Sequence, residues 1–189
     1  MMGNLKQFPT IGCCGIDCGL CPRFYGGSKS QCPGCGGPNF ELKHPSCGVL
    51  NCCIKKGIES CGLCSEMDTC QKFAPKIKKD TFVTVIPAFN NLSIIHQKSL
   101  PKFIDSQQIR IDLLKCLFDN FNDGRSKNFF CLATALLPIS EIQQIFEKLQ
   151  QMLANPKDLP VDNNERVTYI KKIIQNRADD LKIALKMRK

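Results

Sequence analysis

The sequence predicts a mainly α protein in which an irregular, cysteine-rich knuckle module precedes a small helical bundle, and three observations carry that expectation. Twelve of the fourteen cysteines lie between Cys13 and Cys70. Residues 1–75 are rich in Cys, Gly and Pro and lack long apolar periodicity, as expected of a segment not held by a large hydrophobic core. Residues 76–189 contain only Cys116 and Cys131 and carry apolar side chains at helical intervals instead. A module over 1–75 and a helical domain over 80–189 follow, with the boundary in the run from Pro75 to Asp80.

In the module the cysteines fall in short-spaced groups: Cys13-Cys14-Gly-Ile-Asp-Cys18-Gly-Leu-Cys21, Cys32-Pro-Gly-Cys35, Cys47 to Cys52-Cys53, Cys61-Gly-Leu-Cys64, and Cys70. A CxxC pair lets the chain fold back so that both sulfurs face one ion at about 2.3 Å, and glycine lets backbone N–H groups turn toward the sulfurs. Only His44 and His96 accompany them, and thiolate-only donor sets suit zinc or iron–sulfur clusters rather than magnesium, calcium or manganese. The module therefore reads as a zinc-knuckle unit with two structural Zn2+ sites. One is built mainly from Cys18, Cys21, Cys32 and Cys35, the other mainly from Cys47, Cys52, Cys61 and Cys64. Cys14 or Cys70 replaces one of these ligands or completes a third site, and a cross-braced pairing is equally consistent with the spacing. Adjacent cysteines rarely point at one ion, so Cys13 and Cys53 are treated as spare. His44 is a lesser ligand candidate beside Cys47. Cys116 and Cys131 read as small buried hydrophobes on helices.

Beyond the boundary, Thr81–Ile86 is β-branched and fits a short strand, while a helix from about Ala88 fits as well. From Ser106 to Phe121, Ile109, Leu113, Leu114, Leu117, Phe118 and Phe121 recur at helical spacing, and Asn122-Asp-Gly124 supplies a turn. Ser126 to Leu137 forms a helix apolar on most sides, hence the most buried one, ended by Pro138. Ser140 and Gln143 make a capping-box pattern ahead of a stripe of Ile142, Ile145, Phe146, Leu149 and Leu153. A last helix runs from about Asn164 to the C-terminus with Val167, Ile170, Ile174, Leu181 and Leu185 inward and basic residues at its negative dipole end.

The order Cys14-Gly-Ile-Asp-Cys18-x2-Cys21-Pro, Cys32-x-Gly-Cys35, Cys47-x4-Cys52, Lys56-Gly-Ile-Glu-Ser-Cys61-x2-Cys64 and Cys70, over residues 12–75, resembles the cysteine-rich prokaryotic family catalogued as domain of unknown function 3795. The resemblance implies a zinc-binding domain in a bacterial or archaeal protein, with no established activity to carry over. Asp68-Thr69 stand where the family commonly has an aromatic-proline pair, and Cys13 and Cys53 are extra.

The N-terminal segment lacks an apolar run of signal-peptide length and no stretch approaches a membrane span, so a cytoplasmic protein with no membrane partner is expected. A reducing cytosol argues against stacked disulfides and for metal. The formal charge is +9, but each zinc held by four thiolates is a −2 unit that lowers it. Residues 76–189 carry 19 Lys and Arg against 12 Asp and Glu, yet they are spread through the helices, so a solvated basic face is favoured over nucleic-acid binding. Asp123-Gly124-Arg125-Ser126-Lys127 offers an anion-binding helix start, with plain capping by Asp123 or Ser126 the preferred reading.

Cys14-x3-Cys18-x2-Cys21 also has the spacing of a radical S-adenosylmethionine cluster motif, but the alternating strands and helices such enzymes need are missing. The CxxC pairs lack the βαβ setting of a thioredoxin-type redox site. With no Ser-His-Asp set, phosphate loop or HExxH segment, the chain reads as a binding protein of unidentified, protein-type partner rather than an enzyme. An iron–sulfur redox or sensor protein is the first alternative and a zinc-dependent nucleic-acid binder the second.

Overall fold

The computed structural model describes residues 5–27, 30–71 and 86–186. The fold is mainly α: α1 (Phe40–Lys43), α2 (Gly48–Lys56), α3 (Ala88–Gln97), α4 (Leu100–Asn120), α5 (Lys127–Leu136), α6 (Ile139–Ala154) and α7 (Asn163–Asp180), with no β-strand among the described residues beyond an isolated Ile11–Asp17 bridge. Contacts divide the chain at Asp105–Ser106, whereas the sequence suggests a boundary at Pro75–Asp80, a run outside the described residues. Helix α3 falls in the first unit because it packs on the turn Cys61–Leu63. Thr81 to Val85 also lie outside the described residues, and the chain is helical from Ala88.

In the first unit, two small cores support the cysteine loops. Cys13, Phe40, Val49, Leu50 and Cys53 are buried together, with Cys14, Cys35, Cys47, Ile58 and Cys61 packed against them. Ile11, Ile95 and Phe103 form the other, flanked by Phe8, Ile94, Leu100 and Ile104. Helix α3 is fixed to both cysteine loops by close backbone approach. A Cβ on Gly15, at φ 83°, would lie 2.1 Å from the Ala88 carbonyl oxygen, and one on Gly62 would lie 2.8 Å from Ile95 Cβ. Asn91 Nδ2 donates to the Gly15 carbonyl at 2.9 Å, and His96 Nδ1 lies 3.1 Å from the Gly62 carbonyl.

In the second unit, α4 buries Ile111, Leu113, Leu114 and Leu117, with Phe121 just beyond its end. Every residue of α5 from Phe130 to Ala135 is buried, as its apolar character predicts. The Arg110 guanidinium donates to the Thr134 and Leu137 carbonyls at 2.6 and 2.8 Å, satisfying acceptors at the end of α5. Arg177 on α7 pairs with Glu141 on α6 at 2.6 Å. The expected Ser140–Gln143 box does not form. Pro138 occupies the N-cap, its carbonyl accepting from Glu141 and Ile142 N–H at 3.1 Å each, so Ser140 lies inside the helix with no capping role.

Helix α7 starts where expected, with Asp162 accepting from Glu165 N–H at 3.0 Å, but stops at Asp180 rather than running to the C-terminus. Lys182 takes φ 56°, and the Lys182 and Ile183 N–H groups close on the Asp179 and Ala178 carbonyls. Leu181 is therefore exposed rather than inward, and Lys182 and Lys186 follow the helix instead of forming its last turn.

Candidate functional site

The cysteines sit on short turns of the first unit. The two Cys-Gly-Leu-Cys segments fold alike: Cys18–Leu20 and Cys61–Leu63 are each one 3-10 turn, closed by the Cys21 N–H on the Cys18 carbonyl at 3.1 Å and the Cys64 N–H on the Cys61 carbonyl at 3.0 Å. The Ser60 hydroxyl caps the second turn by accepting from Gly62 N–H at 3.3 Å. In each segment a buried glycine follows the first cysteine, which leaves the turn free to lie flat against its neighbours.

Three neighbourhoods of sulfur result. The innermost holds Cys13, Cys35, Cys53 and Cys61. Cys13 and Cys53 are each 1% exposed. Cys13 N–H donates to Cys35 Sγ at 3.4 Å, Cys53 and Cys61 Sγ are 3.7 Å apart, and Cys61 N–H donates to the Cys13 carbonyl at 2.9 Å. Lys6, with a side chain 2% exposed, reaches in beside Cys13 and donates to the Ile11 carbonyl at 2.5 Å. Donation from the Cys35 and Cys53 thiols, aided by the Lys6 ammonium, holds Cys13 well below the ordinary thiol range; the same hydrogen bonds push Cys35 and Cys53 up. Cys61 is lowered by the Cys53 thiol.

In the second neighbourhood Cys18 lies within electrostatic reach of Cys14, Cys21 and Cys32, and Cys14 in turn within reach of Cys47. Burial is the main force pushing Cys14, Cys18 and Cys21 up, with repulsion from neighbouring sulfurs adding to it. Such thiols stay protonated on their own, and only a cation that displaces the protons makes thiolates of them. The third neighbourhood is a cavity of about 380 Å³ lined by Cys52, Cys53, Cys61, Cys64 and Cys70. At its mouth Lys56 Nζ donates to Cys64 Sγ at 3.3 Å and pairs with Glu66 at 3.0 Å; those contacts raise the Lys56 ammonium.

These groupings overlap the sets suggested by spacing without coinciding with them. Cys18, Cys21 and Cys32 stay near each other, with Cys35 within electrostatic reach of Cys18 while hydrogen-bonded with Cys13; Cys52, Cys61 and Cys64 line one cavity, Cys61 also lying beside Cys53, and Cys47 approaches Cys14 instead. All fourteen cysteines are free thiols, and among the described residues no three His, Cys, Asp or Glu side chains are drawn up as a finished metal-ligand set. His44 stacks on Phe40 at 4.7 Å, and burial with the nearby Arg23 charge holds its imidazole below the usual value. Cys131 is fully buried and Cys116 half-buried on α4.

Spacing alone singles out neither Lys6 nor Glu59, whose carboxylate accepts from the Gln7 and Phe8 N–H groups. The adjacency of Cys13 to Cys14 does carry a signal, since that pair divides between neighbourhoods: Cys13 is hydrogen-bonded with Cys35 and Cys53, and Cys14 lies beside Cys18 and Cys47.

In the second unit, the Asp123 turn is closed on itself. Asp123 Oδ1 accepts from Arg125 and Ser126 N–H at 2.8 and 2.7 Å, and Oδ2 from the Ser126 hydroxyl at 2.8 Å, so the carboxylate stands where an anion would bind. Among the described residues no helix is long and apolar enough to cross a membrane. No family model, curated protein or solved structure matches the chain, so the resemblance of its cysteine pattern rests on the residues themselves.

Proposed function

We propose that the chain is a zinc-binding protein whose N-terminal module is held by all-cysteine structural sites, and whose helical part serves binding to a partner protein. One observation carries the reading: among the described residues, six of the ten in the core cluster beneath the module are cysteines. A core made chiefly of thiols gains little from burial alone, whereas a structural zinc ion contributes about 10–16 kcal/mol of apparent binding energy. Closed thiolate sites stabilise a fold rather than activate water, which favours a binding role over hydrolysis. Membership of the family of domain of unknown function 3795 belongs to the same proposal.

The test is metal content per chain, with a 300–700 nm spectrum, on protein purified anaerobically without added metal. About two or more zinc ions and no visible band support the reading. Iron with acid-labile sulfide and a broad band near ~400 nm replaces it with an iron–sulfur redox or sensor role, and metal-free folded protein overturns both. Chelation is expected to make residues 5–71 protease-sensitive while most helical circular dichroism persists.

A further inference from the structure

We infer that Cys13, Cys35, Cys53 and Cys61 form a tetrathiolate site of their own for one zinc ion, with the buried Lys6 ammonium as its counter-cation. The inference rests on the zinc-binding reading above and adds a ligand set built around the two cysteines that are extra to the family pattern. Four sulfurs at about 2.3 Å from one zinc ion stand about 3.8 Å from each other; Cys53 and Cys61 Sγ are 3.7 Å apart. A covalent bridge would need about 2.05 Å, so this pair has ligand spacing rather than disulfide spacing. The Cys13 N–H directed at Cys35 Sγ at 3.4 Å is the backbone donation that stabilises a bound thiolate. The Cys61 N–H to Cys13 carbonyl bond ties the two remaining segments together at 2.9 Å.

Lys6 is the second, independent observation. Lysine is almost never fully buried unless paired, and this side chain is 2% exposed. Its carboxylate neighbour, Glu59, stands 3.9 Å away, beyond hydrogen-bond distance, and already accepts from Gln7 and Phe8 N–H. The ammonium instead contacts the Ile11 carbonyl and the Cys13 sulfur. Treating Cys13 and Cys53 as small hydrophobes explains their burial but leaves the lysine only the Glu59 carboxylate at 3.9 Å, which two backbone N–H groups already engage; a zinc tetrathiolate would set a −2 unit directly beside the ammonium. Closure requires side-chain rotation of the four cysteines onto the ion. Zinc entry releases the thiol protons to solvent, and no oxidation state changes.

The experiment compares zinc per chain in the zinc-loaded, desalted full-length protein with that in Cys13→Ala/Cys53→Ala and in Lys6→Met. The double variant is expected to lose one zinc ion per chain and keep the rest. Lys6→Met is expected to release that ion to a competing chelator at 10–100-fold lower chelator concentration, the usual effect of losing an outer partner. Zinc content unchanged in the double variant overturns the site but leaves the zinc-binding reading standing; wild-type protein without zinc overturns that reading and the site with it. Should the double variant not fold, native wild-type protein is alkylated during chelation. Labelling of Cys13, Cys35, Cys53 and Cys61 as one kinetic group supports the site, and their release in separate groups overturns it.

Discussion

Gly62 and Gly48 make a contrasting pair of residues. A methyl group on Gly62 meets Ile95 Cβ and the Leu92 carbonyl at 2.8 Å, while one on Gly48 meets nothing within 4 Å. Gly62→Ala is therefore expected to destabilise the first unit by about 1–3 kcal/mol through overpacking, and Gly48→Ala to be neutral or slightly stabilising, both read from urea denaturation midpoints. Asp123 gives a pH-dependent case. Desolvation works against its charged form, but the Arg125 and Ser126 N–H groups and the Ser126 hydroxyl outweigh it, so the carboxyl is held below its ordinary value. With the folded value depressed, its contribution is present above about pH 3.9, the unfolded value, and is lost as pH falls through the folded value. Asp123→Ala is expected to lower stability by about 1 kcal/mol at pH 7 and to flatten the acid limb of a thermal melting series. The capping choice here was legible in the residue types; Lys6 was not, because nothing in a lone lysine near the N-terminus signals burial.

At the scale of elements, the helices of the second unit were readable because their apolar residues repeat with the helical period. Val167, Ile170 and Ile174 on α7 are buried as that period requires. What failed were the ends, where backbone geometry outranks pattern: Pro138 displaces Ser140 as the cap of α6, and the left-handed Lys182 stops α7 early. Helix α4 begins at Leu100, ahead of the predicted Ser106, because its first turn buries Phe103 in the Ile11–Ile95 cluster, a partner remote in sequence. Phe121, fully buried just past the end of α4, is the anchor to test. Phe121→Ala is expected to cost about 3–5 kcal/mol, seen as a lowered melting temperature.

For the whole molecule, the division into a cysteine-dense unit and a helical unit was visible in composition, but which sulfurs become neighbours was not. Spacing constrains only residues close in sequence, and the pairing of Cys13 with Cys35 and of Cys53 with Cys61 depends on how separate loops are laid over Phe40, Val49 and Leu50. The spread of basic residues predicts weak nucleic-acid association at most. Affinity for a random duplex is expected to vanish by physiological salt, and a tight complex persisting there would favour the nucleic-acid reading instead. The attachment of α3 to the Gly15 and Gly62 carbonyls also orders events in time. Asn91 reaches back 76 residues and His96 reaches back 34, so the surface that receives this helix does not exist until two distant segments have met. A ten-residue helix is marginal alone, and closing such long loops is slow. The amide hydrogens of Ala88–Gln97 should accordingly be among the last to gain exchange protection during refolding, later than those of α5, whose Arg110 contacts span 24 and 27 residues.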